Sequence, residues 1–339
     1  MNTNSDFLDL LLEQNSDLQR VTNEYPLKTT PYYASLIDKK NISNDPVFKQ
    51  QFPDIKEISN TLKFQLDDPL SEEKQMPVKH LIHRYRDRAV LLTTNECAVF
   101  CRFCMRKRKW KNNRAITKIS EDELKTVKKY LQKHPEIREV LISGGDPLML
   151  KNAELEFILD TISSVETIEI LRLGTRIPVV LPSRIDLSLA ELLGGFRGLW
   201  VATHFNHPRE LTPQALNACR TLIKKGIPIV NQTVLLKNIN DNSKILEKLF
   251  STLAANCIKP LYLFHIDPVK GNEHFATGVQ KGVELMESLR NRLSSLATPT
   301  FAIDLPEGEG KIPILPDYKL AENCFTGLSG KPIQYKFNT

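Results

Sequence analysis

The stretch that organises the chain is Cys97-Ala-Val-Phe-Cys101-Arg-Phe-Cys104, which places three of the six cysteines within eight residues. It follows the β-branched run AVLLTT (89–94), and that run is the first of a series. EVLIS (139–143), IEILRL (168–173), LWVATH (199–204), IVNQTVLL (229–236) and LYLFHI (261–266) come next, with TFAID (300–304) as a seventh. Helical patterns lie between most of them: SEDELKTVKKYLQKH (120–134), NAELEFILDTIS (152–163), TPQALNACRTLIKKG (212–226) and NSKILEKLFSTLAAN (242–256). In the first, Ser120 and Glu123 have capping-box spacing. Strands alternating with helices predict a parallel sheet with right-handed crossovers. Six units are too few for a closed eight-stranded barrel, so the expected fold is α/β, an open or partial (β/α)6 barrel. In such folds chemistry gathers where strands end and loops begin, which is where Cys97 stands.

Outward from this core the pattern fades. Residues 1–80 show no repeat; PYYASLID (31–38) and FPDIKEISNTL (52–62) alternate with polar helical stretches. The predicted organisation is a mostly helical N-terminal appendage (1–80), a barrel core (81–305) and a C-terminal segment (306–339). At 339 residues, 41% hydrophobic and 25% charged, the chain can bury a large core. No apolar run approaches the ~20 residues needed to span a bilayer. The opening MNTNSDFLDLLLEQNSDLQR has no cationic region ahead of its apolar stretch and reads as an acidic amphipathic helix. That predicts a cytoplasmic protein rather than a secreted one. A net charge of +6 fits anionic ligands but is too small to require nucleic acid.

In a reducing compartment, clustered cysteines are metal ligands or reactive thiols rather than disulfides. Cys219 lies in a helical pattern, Cys257 ends one and Cys324 is isolated. None stands beside a second ligand at zinc spacing, so these three read as structural thiols. A [4Fe–4S] cluster held by three thiolates, in contrast, leaves one iron open to a small molecule. The C-x3-C-x2-C spacing of Cys97, Cys101 and Cys104 resembles the signature of the radical S-adenosylmethionine (SAM) superfamily. The resemblance implies that SAM chelates the fourth iron and is cleaved to a 5′-deoxyadenosyl radical, with an electron from a donor such as flavodoxin or ferredoxin. It also implies that LISGGDPL (141–148) stands where the family holds the SAM ammonium. Gly144 and Gly145 would allow close backbone approach and Asp146 would add a carboxylate, although a Gly-Gly-Asp sequence alone is just a turn.

Longer stretches resemble the lysine 2,3-aminomutase family, which adds pyridoxal phosphate (PLP) to this machinery. They are TPYYASLID (30–38), HRYRDR (83–88), CRFCMRKR (101–108), LISGGDPL, ATHFNHPRE (202–210), NQTVLLKNIND (231–241), EHFATG (273–278) and GEGKIP (308–313), spread over nearly the whole chain. The resemblance implies Lys311 as the PLP lysine and Arg84 with Arg88 as the phosphate clamp. It implies Arg106 as the grip on an amino acid's carboxylate, and His204 and Gln232 as SAM contacts. Asp267 and Asp304 match the pair that holds a distant ammonium. From the residues alone, Lys311 reads as a surface lysine, His204 and Gln232 as buried polar side chains, and the two arginines as part of a loop before a strand. RKRKWK (106–111) also reads as a basic run touching nucleic acid. Asp267 and Asp304 each end an apolar run, and turn capping is their alternative role. Two carboxylates suit the ε-ammonium of lysine or a guanidinium and would repel a glutamate carboxylate.

The chain also departs from the family. Larger members carry a C-terminal zinc module that links subunits and takes one cysteine from the core; Asn242 stands at that position here. No structural zinc is expected, and any homo-oligomer would use different contacts. The short form resembles the branch that makes β-lysine for elongation factor P, whereas the complete acid pair resembles the free-standing mutases. Glu307 and Glu309 replace glycines before the lysine. The expected function is an isomerase that moves the α-amino group of L-lysine to the β-carbon, with no membrane or nucleic-acid partner. A mutase for another amino acid such as arginine, and a nucleic-acid-modifying radical SAM enzyme, are the alternatives.

Overall fold

A nine-stranded sheet carries the fold in a computed structural model that describes residues 8, 11–13, 15–59, 63–64, 66–113, 118–327 and 329–335. β1 (Leu81–Tyr85) and β2 (Arg88–Leu92) form an antiparallel hairpin. From β2, strands β3 (Glu139–Ser143), β4 (Ile170–Gly174), β5 (Leu199–Thr203), β6 (Ile229–Leu235), β7 (Ile258–His265) and β8 (Thr300–Leu305) follow in order. Each pairs in parallel with the next. β9 (Gly310–Pro313) turns back antiparallel on β8. Because spatial order follows sequence order, every crossover has the same sense and the sheet curls towards a barrel. The two edges meet through a side chain, since the Lys311 backbone N–H on β9 donates to the Tyr85 hydroxyl on β1 at 2.8 Å. This is the expected partial (β/α)6 barrel, with an antiparallel strand added at each edge.

The four helices read from the sequence appear as Glu121–Lys133, Asn152–Ser163, Pro213–Lys224 and Ser243–Ala255. Ser120 and Glu123 form the reciprocal capping box, and Leu124, Val127 and Leu131 bury one helical face. Asn242 caps its helix by accepting from the Lys244 backbone N–H at 2.9 Å. Two crossover helices were not legible. Leu187–Gly194 is apolar on nearly every side, so it shows no period. Val279–Arg290 contains Gly282, where an added Cβ would stand 2.1 Å from the Phe301 ring. Close packing on β8 imposes that glycine and blurs the helical signal.

Half of the first twenty residues, over which an amphipathic helix is expected, lie outside the described residues. The helix that follows, Ser16–Glu24, is capped by Asn15. Short helices Pro31–Ser35 and Pro46–Gln51 begin with proline after the caps Thr30 and Asp45. This N-terminal segment is fastened to the cysteine loop through fully buried charges. Arg102 donates to Glu57 at 3.0 and 2.6 Å, and Lys107 Nζ lies 2.6 Å from the same carboxylate. A three-stranded antiparallel sheet, β10 (Lys319–Ala321), β11 (Cys324–Thr326) and β12 (Pro332–Gln334), follows the barrel. Among the described residues no helix is long and apolar enough to cross a membrane.

Removing one partner of a buried ion pair leaves an uncompensated charge. Glu57→Ala should therefore lower the unfolding free energy by about 3–5 kcal/mol, against about 1 kcal/mol for the exposed cap Ser120→Ala. Urea denaturation of the two variants measures both, and equal losses would contradict the assignment.

Candidate active site

The barrel mouth opens into a cavity of about 560 Å³ at the C-terminal ends of the parallel strands. All the site residues expected from the sequence line it. Cys97, Cys101, Cys104 and Arg106 come from the loop after β2, and Gly144, Gly145 and Asp146 from the turn after β3. His204 follows β5, Gln232 lies on β6, Asp267 follows β7, Asp304 is on β8 and Lys311 on β9. Arg84 and Arg88 also line it, from the end of β1 and the start of β2; they stand on strands rather than in a loop.

The cysteine loop is held by its own backbone and by the N-terminal segment. Phe100 N–H donates to Lys28 O, Arg102 N–H to Gln50 O, and Cys104 N–H to Cys101 O, at 2.8–2.9 Å. Burial, reinforced by Cys104, Asp146 and Cys101, pushes the Cys97 thiol well above its usual range. Burial and Cys101 likewise raise Cys104 to about 11. These thiols are near enough to resist joint ionisation, and an electropositive iron core would reverse that balance. No group of three or more His, Cys, Asp or Glu side chains among the described residues closes around a single ion. A [4Fe–4S] cubane takes its thiolates at separate iron corners rather than around one ion, and Cys97, Cys101 and Cys104 all line the cavity.

The glycine turn is fitted to the start of that loop. An added Cβ on Gly144 would stand 2.4 Å from Thr94 O, and on Gly145 2.2 Å from Glu96 O. The Gly145 and Asp146 N–H groups donate to those two carbonyls at 2.5 and 2.6 Å. Gly144 also sits at φ +137, which only glycine adopts readily. The Asp146 carboxylate accepts from Thr175 Oγ1 at 2.7 Å, Leu148 N–H at 3.1 Å and Arg176 N–H at 2.8 Å. Burial raises its pKa to about 6 against the pull of these donors. Asp146 thus binds the β3 and β4 loops together.

Arg176, which the sequence gave no reason to single out, is buried beside Cys101. Its guanidinium donates to Cys101 Sγ at 3.0 Å, Tyr33 Oη at 3.0 Å, Gln50 Oε1 at 2.7 Å and Glu210 Oε1 at 2.7 Å. Burial first, then Arg176, lowers His204 to about 4, so its imidazole is neutral near pH 7.

Lys311 and Asp304 are direct partners across the β8–β9 hairpin. The Lys311 Nζ lies 4.5 and 4.2 Å from the Tyr262 and Phe264 ring centres. Burial lowers its pKa; Arg172 and Arg88 push the same way, while Asp304 and Asp267 oppose. Asp267 is raised to about 7 by burial and then by Asp304. The Arg172 side chain is paired with Glu139, but its buried Nε has no partner among the described residues. Arg106 is paired with Glu72, whose carboxyl would be raised by burial but is held at about 2 by Arg106 and Arg108. Glu307 and Glu309 do not line the cavity, so their charges lie outside the site. Glu307 adopts φ +59, the left-handed conformation that suits the glycine it replaces.

Residues 91–249 match the Radical SAM superfamily. An Aquifex aeolicus protein, provisionally named L-lysine 2,3-aminomutase, is 43% identical over 97% of this chain and 90% of its own length. The L-lysine 2,3-aminomutase of Methanococcus maripaludis is 40% identical over 94% of this chain and 73% of its own. The chain belongs to the lysine 2,3-aminomutase family. As a lysine 2,3-aminomutase homologue it is a radical SAM isomerase, and a [4Fe–4S] cluster and SAM accompany that domain. The family also reaches the glutamate 2,3-aminomutase of Clostridioides difficile, 36% identical over 95% of this chain and 75% of its own. Overall similarity therefore leaves the amino acid to be read from the site.

Asp267 carries its charge above its pKa of about 7, and only the charged pair attracts a cation fully. Affinity for a protonated alkylamine should fall as pH drops from about 8 to about 6, and Asp267→Asn should flatten that dependence. Equilibrium binding across this range checks it; an unchanged affinity would contradict the pairing.

Proposed function

We propose that this enzyme converts L-lysine to β-lysine by moving the α-amino group to the β-carbon. The observation that carries the reading is the acid pair Asp267 and Asp304 in the same cavity as Arg106 and Lys311. Arg106 would bind the substrate carboxylate, and the two aspartates would bind the ε-ammonium with charge-assisted hydrogen bonds. Glutamate places a carboxylate where lysine has its ammonium, and the aspartates would repel it. Arginine is the closer competitor, since a guanidinium also suits two carboxylates.

The residues fit PLP. Lys311 is half-buried with a lowered pKa, which favours the neutral amine that a carbonyl requires, and Arg84, Arg88 and Arg172 supply cations for a phosphate. PLP when bound supplies a conjugated ring that delocalises an unpaired electron, and the SAM-loaded cluster supplies the radical that starts the reaction. The protein's part is positioning and exclusion of water. Cys97, Cys101 and Cys104 would hold the cluster, with His204, Gln232 and the Gly144–Gly145 backbone facing SAM. Tyr262 and Phe264 form an apolar wall beside Lys311, where stray hydrogen donors would quench a radical. The reading includes a cytoplasmic setting with a low-potential donor of the flavodoxin or ferredoxin kind.

A nucleic-acid substrate is disfavoured by where the basic run goes. Arg106 and Arg108 pair with Glu72 and Lys107 with Glu57, so these cations face carboxylates of the same chain.

Anaerobically reconstituted enzyme with PLP, SAM and reductant should form β-lysine from L-lysine in many-fold excess over SAM, with L-arginine and L-glutamate converted far more slowly. Lys311→Ala should lose both this activity and the bound-PLP absorbance. SAM cleavage with L-lysine untouched would refute the substrate reading.

A further inference from the structure

The contacts of Arg106 point to a residue outside the family motifs. Glu72 lies in DDPLSEEK (67–74), outside every stretch that carries the family resemblance. In the fold it is only 3% exposed and lines the cavity. Its carboxylate accepts from Arg106 Nε at 3.1 and 3.0 Å and from Arg106 Nη2 at 2.7 Å. This engages the guanidinium along its Nε–Nη2 side. Nη1 is left towards Ser143, 3.4 Å from its Oγ, at the end of β3 and next to the glycine turn.

We propose that Glu72 is a positioning residue: it grips the side of the Arg106 guanidinium and presents the Nη1 end to the substrate carboxylate. The proposal rests on the reading that Arg106 binds that carboxylate. An alternative arrangement, in which Glu72 is a competitor that the substrate displaces, is opposed by its second partner. Glu72 Oε2 also accepts from Arg108 Nη2 at 3.0 Å, and Arg108 Nη1 is already buried without a partner among the described residues. Withdrawing Glu72 would remove the shortest ion pair of a guanidinium that is itself only 9% exposed, leaving it Asp68 Oδ1 at 3.3 Å and Glu73 Oε1 at 3.4 Å.

The segment carrying Glu72 is fixed at other points of the same mouth. Arg84 Nε donates to Gln75 Oε1 at 2.7 Å and Arg84 Nη2 to Leu70 O at 2.9 Å. The Glu307 N–H donates to Pro69 O at 2.9 Å, which ties the segment to the turn ahead of Lys311. A strap spanning Pro69–Gln75 thus touches the arginine expected at the substrate carboxylate, one expected at the cofactor phosphate, and the turn that leads to the lysine. It holds its carboxylate in place rather than leaving it free to swing.

The test is steady-state kinetics of reconstituted Glu72→Gln, with iron and PLP content measured alongside. Glutamine keeps the shape but weakens the charge-assisted grip, so KM for L-lysine should rise about tenfold or more while kcat changes less. Bound iron and PLP should match the parent enzyme. A KM that is unchanged or lower would overturn the proposal, the lower value marking Glu72 as a competitor. Glu72→Asp keeps the charge but shortens the reach, and should also raise KM; it decides the same question if the glutamine variant fails to load iron. Arg106→Lys separates the two levels. If it leaves KM for L-lysine unchanged, the underlying reading of Arg106 fails; if it raises KM while both Glu72 variants do not, only the role of Glu72 fails.

Discussion

Arg102 within the cysteine loop and Lys107 and Arg108 just after it are buried, and two carboxylates from the N-terminal segment make that burial tolerable. Arg102 and Lys107 are fully enclosed with Glu57, and Arg106 and Arg108 close on Glu72. Each ion would lose several kcal/mol of hydration if enclosed alone. Paired, they draw the cysteine loop down onto the barrel and carry the N-terminal segment with it. Residues 1–80, expected as an appendage, therefore include Glu57 in the support of the cysteine loop and Glu72 in the lining of the cavity. Tyr33 and Gln50 extend the same logic, because both accept from the Arg176 guanidinium that also touches Cys101.

From that constraint the cavity acquires its polarity. The cysteine loop and the glycine turn lie against each other through two short backbone bonds, which places the thiols above the ends of β2 and β3. The β8–β9 hairpin brings Asp304 and Lys311 into register at the other edge of the sheet. The Tyr85 hydroxyl, accepting from the Lys311 backbone, draws β9 towards β1 and nearly closes the barrel. The same cavity is thus lined by three thiols, a half-buried lysine, a pair of acids and several arginines. Radical chemistry benefits from this enclosure, since the reacting carbon must be held away from water and other hydrogen donors.

Much of the fold was legible because the strands are short, β-branched and regularly spaced, and because Ser120 and Glu123 have capping-box spacing. Leu187–Gly194 and Val279–Arg290 were not, for lack of amphipathic period in one and an interior glycine forced by Phe301 in the other. Lys311, Asp267 and Asp304 carried a signal through family resemblance, and the two acids also through their place at the ends of apolar runs. Glu57, Glu72 and Arg176 carried none, because a charge buried by tertiary contacts looks like any surface charge in the sequence. The glycines of the β3 turn have a nearer cause than approach to a ligand. They are required by the backbone of Thr94 and Glu96, whatever else they approach. The two glutamates before Lys311 do not line the cavity.

In the proposed reading one cavity holds lysine by both ends, its carboxylate at Arg106 and its ε-ammonium at the acid pair. An anaerobic crystal structure of the reconstituted enzyme with SAM, PLP and L-lysine tests this most directly. The ε-nitrogen should lie within hydrogen-bonding distance of both Asp267 and Asp304, and the carboxylate on Arg106 with Glu72 still paired to that guanidinium. An ε-ammonium pointing elsewhere, or a carboxylate bound by other residues, would contradict it.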